Sequence, residues 1–375
     1  MVTSPTRTPA GQLARPVVIL LGLASLAVAA AGARAFQETL GPAFLALVLV
    51  VTVHPLQAGL RRRGAPGWVG MIVSMAIIYA ILASLVVALV ASAARLVTLL
   101  PDYTAQFDKL LNQATRWLED LGVQPEQAGA AVGRLDLAKL SGVLRDILSA
   151  LTSVVSSLVF LVTLVFFLAI DCDLFARRLD AAAGERPLLV GALREFARNT
   201  RRYLAVSSLF GLIVAVLDVL ALQWLAIPLP LLWGLLSFIT NYIPNIGFVV
   251  GVIPPALLGL LEGGVARMFW VVAVYSSINM IVQSFIQPKV VGNVVRLSAT
   301  LTFLSLVFWA FVLGPLGALL AVPMTLLVKA VLVDADPAAQ WLRPLLGDTA
   351  TEEAPAGAAT AAHPGNQEKR VRRRP

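Results

Sequence analysis

WVGMIVSMAIIYAILASLVVALVASAA, residues 68–94, runs for 27 residues without a charged side chain. A helix needs about 20 apolar residues to cross a hydrocarbon layer about 30 Å thick. Trp68 stands at the start of the run, where an amphipathic ring suits the headgroup level. This stretch reads as a transmembrane helix, and the fold class follows from whether the rest of the chain repeats it.

It does. Upstream lie Leu40–Leu60, closed by the triplet Arg61-Arg62-Arg63, and Pro16–Ala33. The basic flank of Pro16–Ala33 and its Gly32-Ala33-Arg34-Ala35 resemble a secretory signal, but the apolar run that follows at once makes an uncleaved helical pair the simpler reading. Downstream come Ile147–Ile170, Tyr203–Leu225 and Met268–Gln287. The class is therefore all-α, a polytopic integral membrane protein. Residues 1–15 read as a disordered leader, 16–335 as the membrane domain and 336–375 as a disordered basic tail. Residues 96–146 read as an amphipathic helical insert, since Leu96, Leu100, Tyr103, Phe107 and Leu110 recur in steps of three and four. That stripe suits packing on the membrane domain or a seam between copies. Asp171–Arg202, with seven basic and five acidic residues, reads as a charged loop.

Composition agrees and excludes other classes. Apolar residues make up 58% and charged residues 13%, about half the share of a soluble domain, so water-facing surface is scarce. The single Cys172 rules out an internal disulfide, and His54 and His363 are too far apart in sequence to suggest a metal cluster. No His is followed by Glu, so the zinc-protease motif is absent, and the reading is that the chain is not an enzyme and carries no cofactor. The basic tail Lys369–Arg374 reads as a solvated, topology-fixing end rather than a nucleic-acid site.

Two segments break the pattern. Pro228–Leu261 is interrupted at Pro244 and at Pro254-Pro255, and Leu297–Val333 at Gly314-Pro315 and at Pro323. Each is long for one span and short for two. Either each is a re-entrant hairpin, leaving six full spans, or each is one kinked span, giving eight. Hairpins place every basic cluster, Lys289 and Arg296 included, on the side of both termini, which is the cytoplasm by the positive-inside rule. The insert then lies outside. Backbone that leaves helical geometry inside a bilayer needs protein or water for its N–H and C=O groups, so such breaks mark cavities and solute sites. Polar residues gather there: Thr240, Asn241, Tyr242 and Asn245 around Pro244, then Asn279, Gln283, Ser284 and Gln287, then Asn293 beyond Pro288 and Gly292. Asn and Gln also serve as interhelical glue, but glue does not require broken backbone. Asp218, the one acid well inside a run, is a candidate coupling residue.

From about residue 200 to 333 the sequence resembles the autoinducer-2 exporter (AI-2E) family. The resemblance is carried by Asn241-Tyr-Ile-Pro-Asn-Ile-Gly247, Gly251-Val-Ile-Pro-Pro255 and Gln287-Pro-Lys-Val-Val-Gly292. It continues through Leu304-Ser-Leu-Val-Phe-Trp309, Leu313-Gly-Pro-Leu-Gly317 and Ala321-Val-Pro-Met324, and Phe166–Asp171 resembles the end of the family's fourth span. Asn241–Gly247 and the Phe308-Trp309 that precedes Leu313-Gly-Pro are especially similar to the quorum-signal exporters. The resemblance implies a bacterial inner-membrane exporter, a homo-oligomer, and a small polar solute of the autoinducer-2 type as cargo. The broken backbone and the polar residues beside it give the expectation of substrate-binding or gating roles for Thr240, Asn241, Pro244, Asn245, Gly247, Asn279, Gln283, Gln287, Pro288, Gly292, Asn293, Gly314, Pro315 and Gly317. The alternative is a sodium–proton antiporter, an activity associated with other members. The chain departs from the family pattern at Gln283-Ser284, where Gly-Asn is frequent, and at Gln287, where an acid is common. The missing acid weakens proton coupling.

Overall fold

A computed structural model describes residues 15–99, 138–244, 246–291 and 297–347, with scattered residues between 103 and 120. The leader, most of the insert and the tail beyond 347 lie outside the described residues. The described chain is helical throughout, and six of its helices are long and apolar enough to cross a membrane. The described helices begin with α1 (Arg15–Ala35), α2 (Gln37–Arg62), α3 (Gly67–Leu99), α4 (Ala138–Ala181) and α5 (Pro187–Trp224). Then come α6 (Pro230–Thr240), α7 (Gly247–Asn279), a π-helical turn (Met280–Ile286) and α8 (Gln287–Val291). The chain closes with α9 (Ala299–Leu319), α10 (Ala321–Lys329), a second π turn (Ala330–Asp334), a 3-10 turn (Pro337–Leu342) and α11 (Arg343–Leu346).

Helices α2, α3 and α4 form one packed unit. Ala46 and Val50 of α2 meet Ile78 of α3 and Leu161 and Val165 of α4. The Tyr79 hydroxyl donates to the Val162 carbonyl at 2.9 Å, and Arg61 pairs with Asp173. That ion pair brings the basic triplet to the same end of the molecule as the charged segment after α4. The segment is not a loop. Helix α4 continues to Ala181, and α5 restarts at Pro187 after a turn of five residues. Its charges alternate with apolar residues such as Ala192 and Phe196, which are buried against α2 and α10. Charge density alone hid that helical stripe.

Both interrupted segments reverse direction. In the first, α6 ends at Thr240, the Ile243 N–H turns back to the Thr240 carbonyl at 2.8 Å, and the first arm of α7, from Gly247, returns beside α6. A Cβ on Gly247 would stand 1.8 Å from the Thr240 carbonyl oxygen, so only glycine fits where the arms separate. The expected break at Pro254-Pro255 does not occur; helix passes through both, as fixed φ near −65° permits when the lost N–H bonds are tolerated. The second reversal falls at Gly263-Gly264, where Gly264 has φ +69° and ψ −166°, backbone open to glycine alone. Gly259 then lies against Met268, with a Cβ-to-Cα approach of 3.3 Å. A straight helix would separate residues nine apart by about 13 Å. The 33 residues of α7 are thus two antiparallel arms.

The other segment folds back at Gly314, with φ +66° and ψ −148°, followed by Pro315, which disfavours helix in the residue before it. Trp309 Nε1 donates to Thr325 Oγ1 at 3.0 Å across the fold, a pair that straight helix would hold about 24 Å apart. Pro323 makes no break of its own. It sits in the first turn of α10, where its missing N–H is not needed. The two ends of this hairpin lie together: Ser298 N–H donates to the Leu346 carbonyl at 3.0 Å. Residues 337–346 are ordered helix, so the folded domain extends past the boundary expected at 335.

Candidate functional site

The site is built around the middle of α5. Tyr203, Ser207, Gly211, Val214 and Asp218 are spaced by threes and fours and are buried along one face. Helix α6 runs antiparallel on that face. Small residues allow the approach: a Cβ on Gly234 would stand 3.1 Å from the Ala215 carbonyl, and one on Gly211 would stand 2.8 Å from the Asn241 amide nitrogen. The tip of the first hairpin therefore stops beside the middle of α5, short of the far end.

At that tip the polar groups bond to one another. Asn241 Nδ2 donates to the Ser207 carbonyl at 3.0 Å, and Asn241 Oδ1 accepts from Gln283 Nε2 at 2.8 Å. Tyr203 donates to the Tyr242 carbonyl at 2.8 Å, and the Tyr242 and Ser208 hydroxyls are 2.6 Å apart. One turn up α6, Thr240 Oγ1 donates to the Ser237 carbonyl at 3.3 Å, and Ser237 Oγ donates to Asp218 Oδ2 at 2.5 Å. Three helical elements thus meet at Asn241: α5, the hairpin tip and the π turn that carries Gln283. The π turn corrects the expectation of a regular helix over Met268–Gln287. Within it Ser284 is exposed, whereas Gln283 and Gln287 are both half-buried, so Ser284 does not share their face.

Other buried polar atoms, spread along α5 and α7, have no hydrogen-bond partner among the described residues: Thr200 Oγ1, Asp218 Oδ1, Tyr275 Oη and Asn279 Oδ1. In a bilayer such atoms hold potential for water or solute that the surrounding lipid cannot meet. Asp218 is 1% exposed, and the described residues place no cation against it.

The sequence-predicted residues divide into two places. Thr240, Asn241, Pro244, Gly247 and Gln283 gather at the first tip, with Asp218 joined to them through Ser237, and Asn279 ends α7 four residues before Gln283. Pro288 is exposed on α8. Asn245, Gly292 and Asn293 lie outside the described residues. Gly314, Pro315 and Gly317 belong to the second tip, where Gly314 and Pro315 border a separate cavity of about 920 Å³ with Gln37, Glu38 and Thr39 of α2 and Ser156 and Ser157 of α4, while Gly317 packs on the Trp309 carbonyl. Sequence reasoning missed Tyr203, Ser207, Ser208 and Ser237. The threes-and-fours spacing of small and polar residues on α5 was the available signal. No group of three or more His, Cys, Asp or Glu that could hold a metal ion occurs among the described residues.

Comparison with known proteins fits this architecture. The AI-2E family transporter description matches residues 23–335. The chain is 29% identical to "Putative transport protein YhhT" of Escherichia coli K12 over 313 residues, covering 83% of this chain and 89% of that one. It is 28% identical to "AI-2 transport protein TqsA" of the same organism over 316 residues, covering 84% and 91%. A "Putative transport protein" of Haemophilus influenzae is 27% identical over 334 residues, covering 88% and 96%. A multi-pass helical membrane protein with two hairpins, matched from its first helix to its second π turn, belongs to the AI-2E transporter family.

Proposed function

We propose that this protein exports a small polar, uncharged solute of the autoinducer-2 type across the bacterial inner membrane by alternating access, with its two hairpins as gates. The observation that carries the reading is Asn241. It sits at the tip of a hairpin that stops beside the middle of α5 and is bonded at once to α5 through Ser207 and to the π turn through Gln283. Neutral donors and acceptors dominate this level, and they suit hydroxyl-rich cargo better than ions. With all these bonds made, the first gate is closed. Swinging the tip away from α5 frees the amides of Asn241 and Gln283 for a solute. The similarity to "AI-2 transport protein TqsA" supports the choice of cargo. The pairing of Arg61 with Asp173 gathers the basic ends of α2 and α4 on one side, which the positive-inside rule makes cytoplasmic, together with both termini. The test is efflux of labelled autoinducer-2 from proteoliposomes containing the purified chain. Efflux above protein-free vesicles is expected, and Asn241→Ala should change its rate. Absence of flux in either direction refutes this cargo.

Sodium–proton exchange is the second reading, favoured by one observation, the buried and singly bonded carboxylate of Asp218. Asp218→Asn separates the two. It abolishes ion exchange under the second reading and spares neutral-solute efflux under the first.

A further inference from the structure

Away from the polar tip, a crevice of about 780 Å³ opens between α3, α5 and α6. Its volume falls within the range of about 300–1,000 Å³ typical of small-ligand sites. The walls are almost wholly apolar. Ile81 of α3, Leu212, Val216 and Leu220 of α5 and Leu231 of α6 all line it, and all are exposed. Its few polar groups are Ser84, Ser92, Arg95 and Gln223. Arg95 and Gln223 fall at the same end, because Leu96 and Leu99, just after Arg95, pack on the cluster that holds Leu222 and Ile227. Trp224, 79% exposed, marks that end as the membrane interface. The Arg95 guanidinium has no ion-pair partner among the described residues.

The length of the crevice names its occupant. Along α5 it runs from Leu212 to Gln223, about 17 Å at 1.5 Å per residue, which is close to half of a hydrocarbon layer about 30 Å thick. It is therefore one leaflet deep, apolar along its length and cationic at the interface. We propose that this crevice binds one acidic phospholipid of the surrounding leaflet, its headgroup on Arg95 and an acyl chain along Val216 and Leu212 toward Phe238. A second copy of this chain fits less well, since it would have to bring both a narrow apolar ridge and an acid to Arg95.

The position gives the lipid a mechanical role. Gly234 and Phe238 of α6 line the crevice, and Ser237, the partner of Asp218, stands between them in sequence on the same helix. An acyl chain in the crevice presses α6 against α5 and holds the first hairpin in place. The site is independent of which solute the transporter carries.

The experiment reconstitutes the full chain in vesicles of equal phosphatidylglycerol and phosphatidylcholine, extracts it in mild detergent and counts retained phospholipid by native mass spectrometry. Wild type should retain one phosphatidylglycerol in preference to phosphatidylcholine. Arg95→Gln, at an exposed position, should lower that retention about fivefold, the weight of one basic residue at an anionic surface. Ala88→Trp should displace the lipid by filling the crevice, and Arg267→Gln, a basic residue at the same end, should leave retention unchanged. Equal retention by wild type, Arg95→Gln and Ala88→Trp overturns the proposal. So does an intermolecular disulfide formed by Val216→Cys in a Cys172→Ser background, which would place a second copy there.

Discussion

The Tyr203 hydroxyl donates to the Tyr242 carbonyl at 2.8 Å, while the Tyr203 ring packs among Leu320, Val322 and Leu326. One side chain of α5 therefore touches the tip of the first hairpin and the body of the second. Movement of either gate is felt at this residue. Tyr203→Phe should remove only the hydrogen bond, costing about 1 kcal/mol, and should speed amide exchange at residues 240–247. Tyr203→Ala should also lose the ring packing, about 3–5 kcal/mol. Melting in detergent and hydrogen exchange together check both.

Asn241 and Gln283 should be energetically coupled. Hydrogen bonds between membrane helices average about 0.6 kcal/mol and reach about 1.7 in double-mutant cycles. A cycle of Asn241→Ala and Gln283→Ala, read by thermal unfolding in detergent, should give coupling in that range. Additive losses would mean that the two amides do not hold the tip to the π turn.

The two hairpins depend on glycines that differ in what they tolerate. A Cβ at position 247 meets the Thr240 carbonyl at 1.8 Å, and one at 317 meets the Trp309 carbonyl at 1.9 Å. Gly247→Ala and Gly317→Ala should each push two backbone arms apart and sharply reduce the yield of folded protein. Gly191→Ala, in open space on α5, should stabilise by about 1 kcal/mol through helix propensity. Yield and melting temperature of the three variants decide this.

Asp218→Asn should fold at least as well as wild type. The amide oxygen keeps the acceptor for Ser237 Oγ, and the cost of burying a charge with no ion-pair partner disappears. A melting temperature lower than that of wild type would mean that the charge itself supports the fold.

The root of the second hairpin is held by ions. Asp334 accepts from Lys329 Nζ at 3.0 and 3.2 Å and from Arg343 Nε at 2.9 Å. Lys329 is 9% exposed. Removing one partner of such a buried pair costs about 3–5 kcal/mol, so Asp334→Ala should loosen residues 330–346. Adding Lys329→Met should recover much of the loss. Limited proteolysis of the C-terminal region reads the outcome.

Much of this design was legible in the amino-acid order because it is local. Charge-free runs of span length reveal helices in lipid, since hydrocarbon tolerates neither unpaired backbone nor unpaired charge. The turns at Pro244 and Gly314 were equally legible, since proline lacks a donor and glycine alone adopts the required backbone. Other features were not. Pro254-Pro255 looked like a break and is helix; the chain reverses instead at Gly263-Gly264, in the short polar gap between the runs that end at Leu261 and start at Met268. Asp171–Arg202 looked like a loop because its charges outweigh a helical stripe that only burial against α2 and α10 reveals.

The sequence by itself determined an all-helical chain embedded in lipid, the places where its helices must break and the polar residues available there. The tertiary structure decided which of those residues meet. Asn241 finds Ser207 and Gln283, 34 and 42 positions away, and Asp218 finds Ser237, 19 positions away. Gly314 goes instead to a second cavity against α2 and α4. The physical reason is range: propensity and backbone strain act within a few residues, whereas these bonds form only after small residues such as Gly211 and Gly234 let separate helices close to contact.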